Sequence, residues 1–169
     1  MNGKWSLNKS MRNLLDRISD ESLNEVISVN TTNLIKLFHP PLKKVRDCII
    51  MTDESPEQLE ESYDLVMEDL YQQDPINYEL YNNEVRINTF FEEDISKAVG
   101  VRVALLVIDC WIPQLKMLDP DAQFCFLIYA VDDYVGDHVE IRFHKMREEK
   151  VDWIQGNEEA TEAIGCLIV

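Results

Sequence analysis

Phe124-Cys125-Phe126-Leu127-Ile128-Tyr129-Ala130-Val131 is an almost wholly apolar run, and it is followed by His138-Val139-Glu140-Ile141-Arg142-Phe143-His144-Lys145-Met146. The first run predicts a central strand. The second alternates Val139, Ile141 and Phe143 inward with His138, Glu140, Arg142 and His144 outward, the period of a strand with one covered face. Asp132-Asp133-Tyr134-Val135-Gly136-Asp137 between them is predicted as a connecting loop, making this the strongest hairpin in the chain.

Elsewhere the apolar pattern is mostly helical. Leu7, Met11, Leu14, Leu15 and Ile18 predict a first amphipathic helix over residues 6 to 18. A second begins near Asp20, is open to a break at Val29-Asn30-Thr31-Thr32-Asn33, and ends at Pro40-Pro41. Ser55-Pro56-Glu57-Gln58 places a cap, a first-turn proline and a glutamine in capping-box order, so a helix is predicted from there to about Gln73. Asn82-Asn83, followed by alternating Val85, Ile87 and Thr89, predicts a hairpin over 78 to 90. Residues 94 to 112 fit either a helical face or a buried strand; length and Asp94 as a cap favour a helix ending near Pro113. Val151 to Ile154 is expected as a short strand with Trp153 at the edge of the core, and residues 157 to 165 as a short helix. The predicted class is therefore α+β: one domain over 1–169, with N-terminal helices packed on a mainly antiparallel sheet.

Charge is distributed unevenly. The chain of 169 residues carries net charge −16, and residues 52 to 94 hold 14 acidic side chains against Arg86 alone. Direct binding of nucleic acid or an anionic membrane needs clustered Lys and Arg, so neither is expected, and a basic protein is the natural partner. On the helix after Ser55, Leu59, Tyr63, Val66, Met67 and Leu70 form the apolar stripe, with Glu57, Glu61, Asp64 and Glu68 beside it. Like charges four residues apart oppose a helix by about 1 kcal/mol in total here, and no basic residue between Met51 and Asn83 relieves them. Such uniformity points to use, against the plainer reading of a solvated acidic face.

Signals for other chemistry are weak. The five glycines form no phosphate-cradling motif, and H-E-x-x-H, G-x-S-x-G and paired C-x-x-C are missing, so no cofactor and no metal is expected. Asp132, Asp133 and Asp137 do not follow a calcium-loop pattern. The His138, Glu140, Arg142 and His144 face fits either solvent exposure or general acid-base groups; Asp109 is a candidate for burial. Cys48, Cys110, Cys125 and Cys166 are scattered and are expected to stay reduced. Cys166-Leu167-Ile168-Val169 fits a loose prenylation pattern, but its acidic approach favours a buried terminal strand. The first residues lack the apolar core of a signal peptide, and the run Val103 to Ile108 is too short to span a bilayer, so a cytoplasmic protein is expected.

With its acidity and its hairpin from Phe124-Cys125-Phe126-Leu127-Ile128-Tyr129 to Val139-Glu140-Ile141-Arg142-Phe143-His144, the chain resembles bacterial immunity proteins of the contact-dependent growth inhibition or polymorphic-toxin type. The likeness is one of overall character and assigns no residue. It implies neutralisation of a cognate toxin domain with a basic surface, often a nuclease or other RNA-directed enzyme. From the charge pattern the expected contact residues are Glu57, Glu60, Glu61, Asp64, Glu68 and Asp69, with Asp132, Asp133, Tyr134 and Asp137. Tyr63, Tyr71, Tyr78, Tyr81 and Tyr134 are candidate anchors. Two other classes stay open: an acidic adaptor or nucleic-acid mimic that regulates a basic host protein, and a small enzyme using His138, Glu140 and His144.

Overall fold

The computed structural model describes residues 4–20, 31–133, 136–147 and 153–169. Its centre is the pair β5 (Phe124–Asp133) and β6 (Gly136–Lys145), antiparallel in a register that sets Ile128 opposite Ile141. The ladder extends to Asp133 opposite Gly136. Asp132, Asp133, Gly136 and Asp137, predicted as loop, are therefore paired strand, and Tyr134 and Val135 lie outside the described residues.

Two short strands and one long partner complete the sheet. β7 (Ala163–Ile168) pairs with β5, β1 (Lys4–Leu7) with β7, and β4 (Val85–Arg86) with β6, giving the all-antiparallel order β1-β7-β5-β6-β4. The helix predicted over 157 to 165 is thus replaced by turns and a buried strand, and Cys166 lies inside it. Residues 4 to 7 are likewise strand, so the first helix, α1 (Lys9–Asp20), starts later than its periodicity suggests. Asn8 makes that boundary: its Oδ1 accepts from the Met11 and Ile164 amides, and its Nδ2 donates to the carbonyls of Glu162 and Asn157.

One face of the sheet carries α1, α2 (Thr31–Phe38) and α5 (Lys97–Leu118) over Phe124, Phe126, Ile128, Val139, Ile141 and Phe143. α2 stops ahead of Pro40 and Pro41, as expected; the earlier part of the predicted second helix lies outside the described residues. α5 settles the ambiguous segment as helix, with two corrections. Its cap is Ser96, whose Oγ accepts from the Val99 amide, and Pro113 lies within it. The helix continues because Trp111 and Leu115 are fully buried, and the side-chain Nε2 of Gln114 donates to the Cys110 and Phe38 carbonyls, holding the turn around the proline. α5 is long and apolar enough to cross a bilayer by length and composition, and in this fold it is packed on the sheet. Asp109 on it is exposed, not buried.

The opposite face of the sheet is covered too. Leu80, Cys125, Leu127, Ile154, Ile164 and Cys166 form a second core beneath α4 (Pro75–Asn82). α4 replaces the hairpin predicted over 78 to 90. Asp74 caps it, accepting from the Ile76 and Asn77 amides, Pro75 opens it, and Asn83 ends it. Ile87–Phe90 is a short 3₁₀ turn. Trp153 packs at the edge of this second core, as expected, but it and Ile154 form a bend and not a strand; Val151 and Asp152 lie outside the described residues.

A two-stranded hairpin, β2 (Leu42–Val45) and β3 (Cys48–Met51), carries α3 (Pro56–Asp69) on Val45, Cys48, Ile50, Leu59, Met67 and Tyr78. The hairpin joins the main sheet through side chains of α4. Buried Glu79 accepts from the Ile49 and Lys145 amides at 2.9 and 3.0 Å and pairs with Arg147 at 2.7 Å. Asn83 donates to the carbonyls of Ile49 and Phe143 and accepts from the Met51 amide. One helical turn apart, these two residues bridge β3 and β6.

Candidate protein-binding site

The capping box at the start of α3 is formed as expected: Ser55 Oγ accepts from the Gln58 amide and Gln58 Oε1 from the Ser55 amide. Fixing that end fixes the rotation of the helix. Leu59 and Met67 turn into the hairpin's core, and Glu57, Glu60, Glu61, Asp64, Glu68 and Asp69 are all exposed. The acidic stripe is thus a continuous solvent-facing surface with Leu65, 65% exposed, among its carboxylates.

Cations reach this surface from the β2–β3 hairpin, where the charge of Lys43 acts on Glu57. Arg46, in the β2–β3 turn with φ 50°, pairs with Asp64 (Nη2 to Oδ2 2.9 Å) and with Glu60 at 3.3 Å, and lies 4.5 Å from the Tyr63 ring centre. Its guanidinium holds the Asp64 carboxyl below the ordinary range. The Glu57 carboxyl is also lowered, by its own amide in the first turn and then by the Ser55 hydroxyl. Among the described residues Glu61, Glu68 and Asp69 make no ion pair.

The expected second acidic segment lies elsewhere. Asp132, Asp133 and Asp137 occupy the paired ends of β5 and β6, while Tyr134 is outside the described residues. The hairpin that bears α3 is bonded to β6 at Phe143 and Lys145. Six residues of strand from Phe143 to Asp137 span about 20 Å.

The tyrosines divide by burial. Tyr78 is in the hairpin core, and burial pushes its hydroxyl up to about 12. Tyr63 is half-buried with its hydroxyl 3.5 Å from Cys48 Sγ. Tyr71 is half-buried, whereas Tyr81 is 72% exposed, and their rings meet edge to face at 5.9 Å. These last two wall a cleft of about 670 Å³ at the C-terminal end of α3. Leu70, Leu80, Leu127, Tyr129 and Trp153 complete its apolar lining, and Gln72, Asp74, Asn77 and Arg142 supply polar groups. Sequence reasoning missed this cleft, for its walls come from four separate stretches of chain.

The outward side chains of β6 are not solvent-facing. Glu140 and His144 are buried, because α4 and the bend at Trp153 cover that side. Glu140 belongs to an ion cluster with Arg86 at 3.4 Å and Arg142 at 3.2 Å, with the His138 ring nitrogen 3.6 Å away; Glu84 joins through Arg142 at 2.7 Å and Arg86 at 3.3 Å. His144 is engaged separately. Its Nδ1 donates to the Lys145 carbonyl and its Nε2 accepts from the Trp153 indole N–H at 3.2 Å. The four free cysteines include Cys125 and Cys166, buried with Sγ atoms 3.2 Å apart, and the contact between the two sulfurs together with burial raises the Cys125 thiol.

No curated protein and no solved structure matches the chain. The model of the Uncharacterized protein PM0498 family matches residues 6–167, so the chain belongs to that family.

Proposed function

We propose that this member of the PM0498 family is an acidic binding protein of the immunity type, which neutralises a cognate toxin domain by docking on its basic surface. The reading is carried by one observation: six carboxylates, Glu57, Glu60, Glu61, Asp64, Glu68 and Asp69, are exposed along α3 with no basic residue on the helix itself, and Leu65 is exposed in their midst. Complementary charge accelerates encounter and fixes orientation, while a few apolar anchors supply most of the affinity. Leu65, Leu70 and Tyr81 are the exposed apolar groups beside the acids. On this reading the protein acts without catalysis or cofactor, in the cytoplasm, and a nuclease or other RNA-directed toxin is the favoured target because its basic cleft fits the carboxylates.

The test is capture of partners from cells at low and at near-physiological salt. One basic partner retained in stoichiometric amount at both supports the reading. Many partners lost together at the higher salt would reduce the acidity to a generic property. With the partner in hand, Glu61→Lys, Asp64→Lys and Glu68→Lys together are expected to slow association by about tenfold and flatten its salt dependence. The fold should persist, since all three side chains are exposed. An unchanged association rate would remove α3 from the interface.

A further inference from the structure

We infer that the cleft beside α3 is a receptor for a cationic side chain, arginine or lysine, presented by a basic protein partner. The inference rests on the protein-binding reading above and names what that site would hold.

The lining is the first reason. Tyr71, Tyr81, Tyr129 and Trp153 surround a space of about 670 Å³, and aromatic faces attract a desolvated cation through their quadrupoles. Tyr81 and Leu70, at 72% and 70% exposure, stand uncovered at the walls, so the rings are available to an incoming group.

Charge selects a cation over an anion. The one positive group in the lining, Arg142, is held by Glu84 at 2.7 Å and Glu140 at 3.2 Å, carboxylates it shares with Arg86, so its charge is met within the fold. Asp74 adds a further negative charge to the lining. The rim continues the trend. α3 ends in Glu68 and Asp69 with no basic residue in its last turn, although the negative end of the helix dipole favours cations there. Both carboxylates oppose their own helix, and Leu70, the residue after them, lines the cleft.

The backbone beneath is also held in an uncommon form. Gln72 and Gln73 are consecutive non-glycine residues at φ 51° and 64°, a left-handed pair that turns the chain from Tyr71 to Asp74. The Asp74 amide donates to the Tyr71 carbonyl at 2.8 Å across this turn, which sets the ring of Tyr71 and the carboxylate of Asp74 on the same cleft.

The test titrates the isotopically labelled protein with the capped tripeptide acetyl-Gly-Arg-Gly-amide, its citrulline counterpart, which has the same shape without the charge, and its aspartate counterpart. The Trp153 indole and the Tyr71 and Tyr81 amides are followed by NMR. Saturable shifts at these groups are expected, with the arginine peptide at least about fivefold tighter than the citrulline peptide. Tyr81→Ala should weaken it by a similar factor while leaving remote resonances unmoved. Equal response to citrulline, stronger response to aspartate, or no saturation would each overturn the inference. The partner test separates the two readings. A captured partner that binds Tyr81→Ala as tightly as the unaltered protein overturns the cleft inference and leaves the acidic face standing. Failure to capture any partner, with arginine-selective saturation intact, leaves the cleft's preference standing and overturns the immunity reading.

Discussion

His144 is 1% exposed and has both ring nitrogens engaged, Nδ1–H on the Lys145 carbonyl and Nε2 beneath the Trp153 indole N–H. Protonating Nε2 would set two donors against each other in a dry site. Burial holds the imidazole below its ordinary pKa, the carbonyl bond opposes this in part, and nearby Arg147 adds to the lowering. The folded state therefore resists a proton that the unfolded chain accepts near pH 6.5. With a depressed folded pKa, the stabilisation is fully present above the unfolded value and is lost as pH falls through the window beneath it. Unfolding by urea is expected to show a lower unfolding free energy at pH 5.5 than at pH 7.5, by no more than about 1.4 kcal/mol for each pH unit crossed. His144→Asn, which titrates in neither state, should flatten that difference; a slope that survives the substitution would assign it to other groups. The same bond orients a wall of the cleft, so the Trp153 fluorescence of the folded protein is expected to stay constant over that range and to change only at lower pH, where His144 itself takes the proton.

At the scale of elements, α5 and β6 approach closely at Gly100. A methyl group on Gly100 would lie 2.7 Å from Cγ2 of Val139, a fully buried β-branched side chain with little room to turn away. Gly100→Ala should favour the isolated helix by up to about 1 kcal/mol, yet overpacking costs about 1–3 kcal/mol, so net destabilisation is expected. Thermal melting decides the sign, and a raised melting temperature would mean that the two elements separate freely. Local signals such as these were readable where the physics is local. Ser55, Pro56 and Gln58 sit within one turn and defined the start of α3, and the alternation from Val139 to Phe143 defined β6. α4 was hidden because Tyr78, Glu79 and Leu80 are all buried, which leaves no one-sided stripe, and because Asn82-Asn83 resembles a hairpin turn when it is a helix end. β1 and β7 depend on pairing between residues 4–7 and 165–168, a relation that no window of neighbouring residues contains. The acidic face was legible because its residues are contiguous in sequence. The cleft was not, since Tyr71, Tyr129, Arg142 and Trp153 meet only after folding.

Over the whole molecule, net charge −16 makes the compact state repel itself. Screening shortens that repulsion, with a Debye length near 10 Å at about 0.1 M salt. The melting temperature is therefore expected to rise as sodium chloride increases from about 0.01 to 0.3 M; a fall would mean that the ion pairs of Glu79 and Glu140, and those of Asp119 with Lys44 and Lys145, outweigh the net repulsion. The way β6 is finished on its outer side bears on a different property. β4 covers only the positions opposite Glu140 and Ile141, but the Val139 amide is bonded to Asn88 Oδ1, the Phe143 carbonyl to Asn83 and the Lys145 amide to Glu79. A strand from another molecule laid along this margin finds these groups already occupied. The opposite margin, β1, is four residues long. Fibrous growth by edge-to-edge stacking needs two receptive margins, and this sheet offers one short one, so crowding should drive such a protein towards its own partners rather than into filaments of itself.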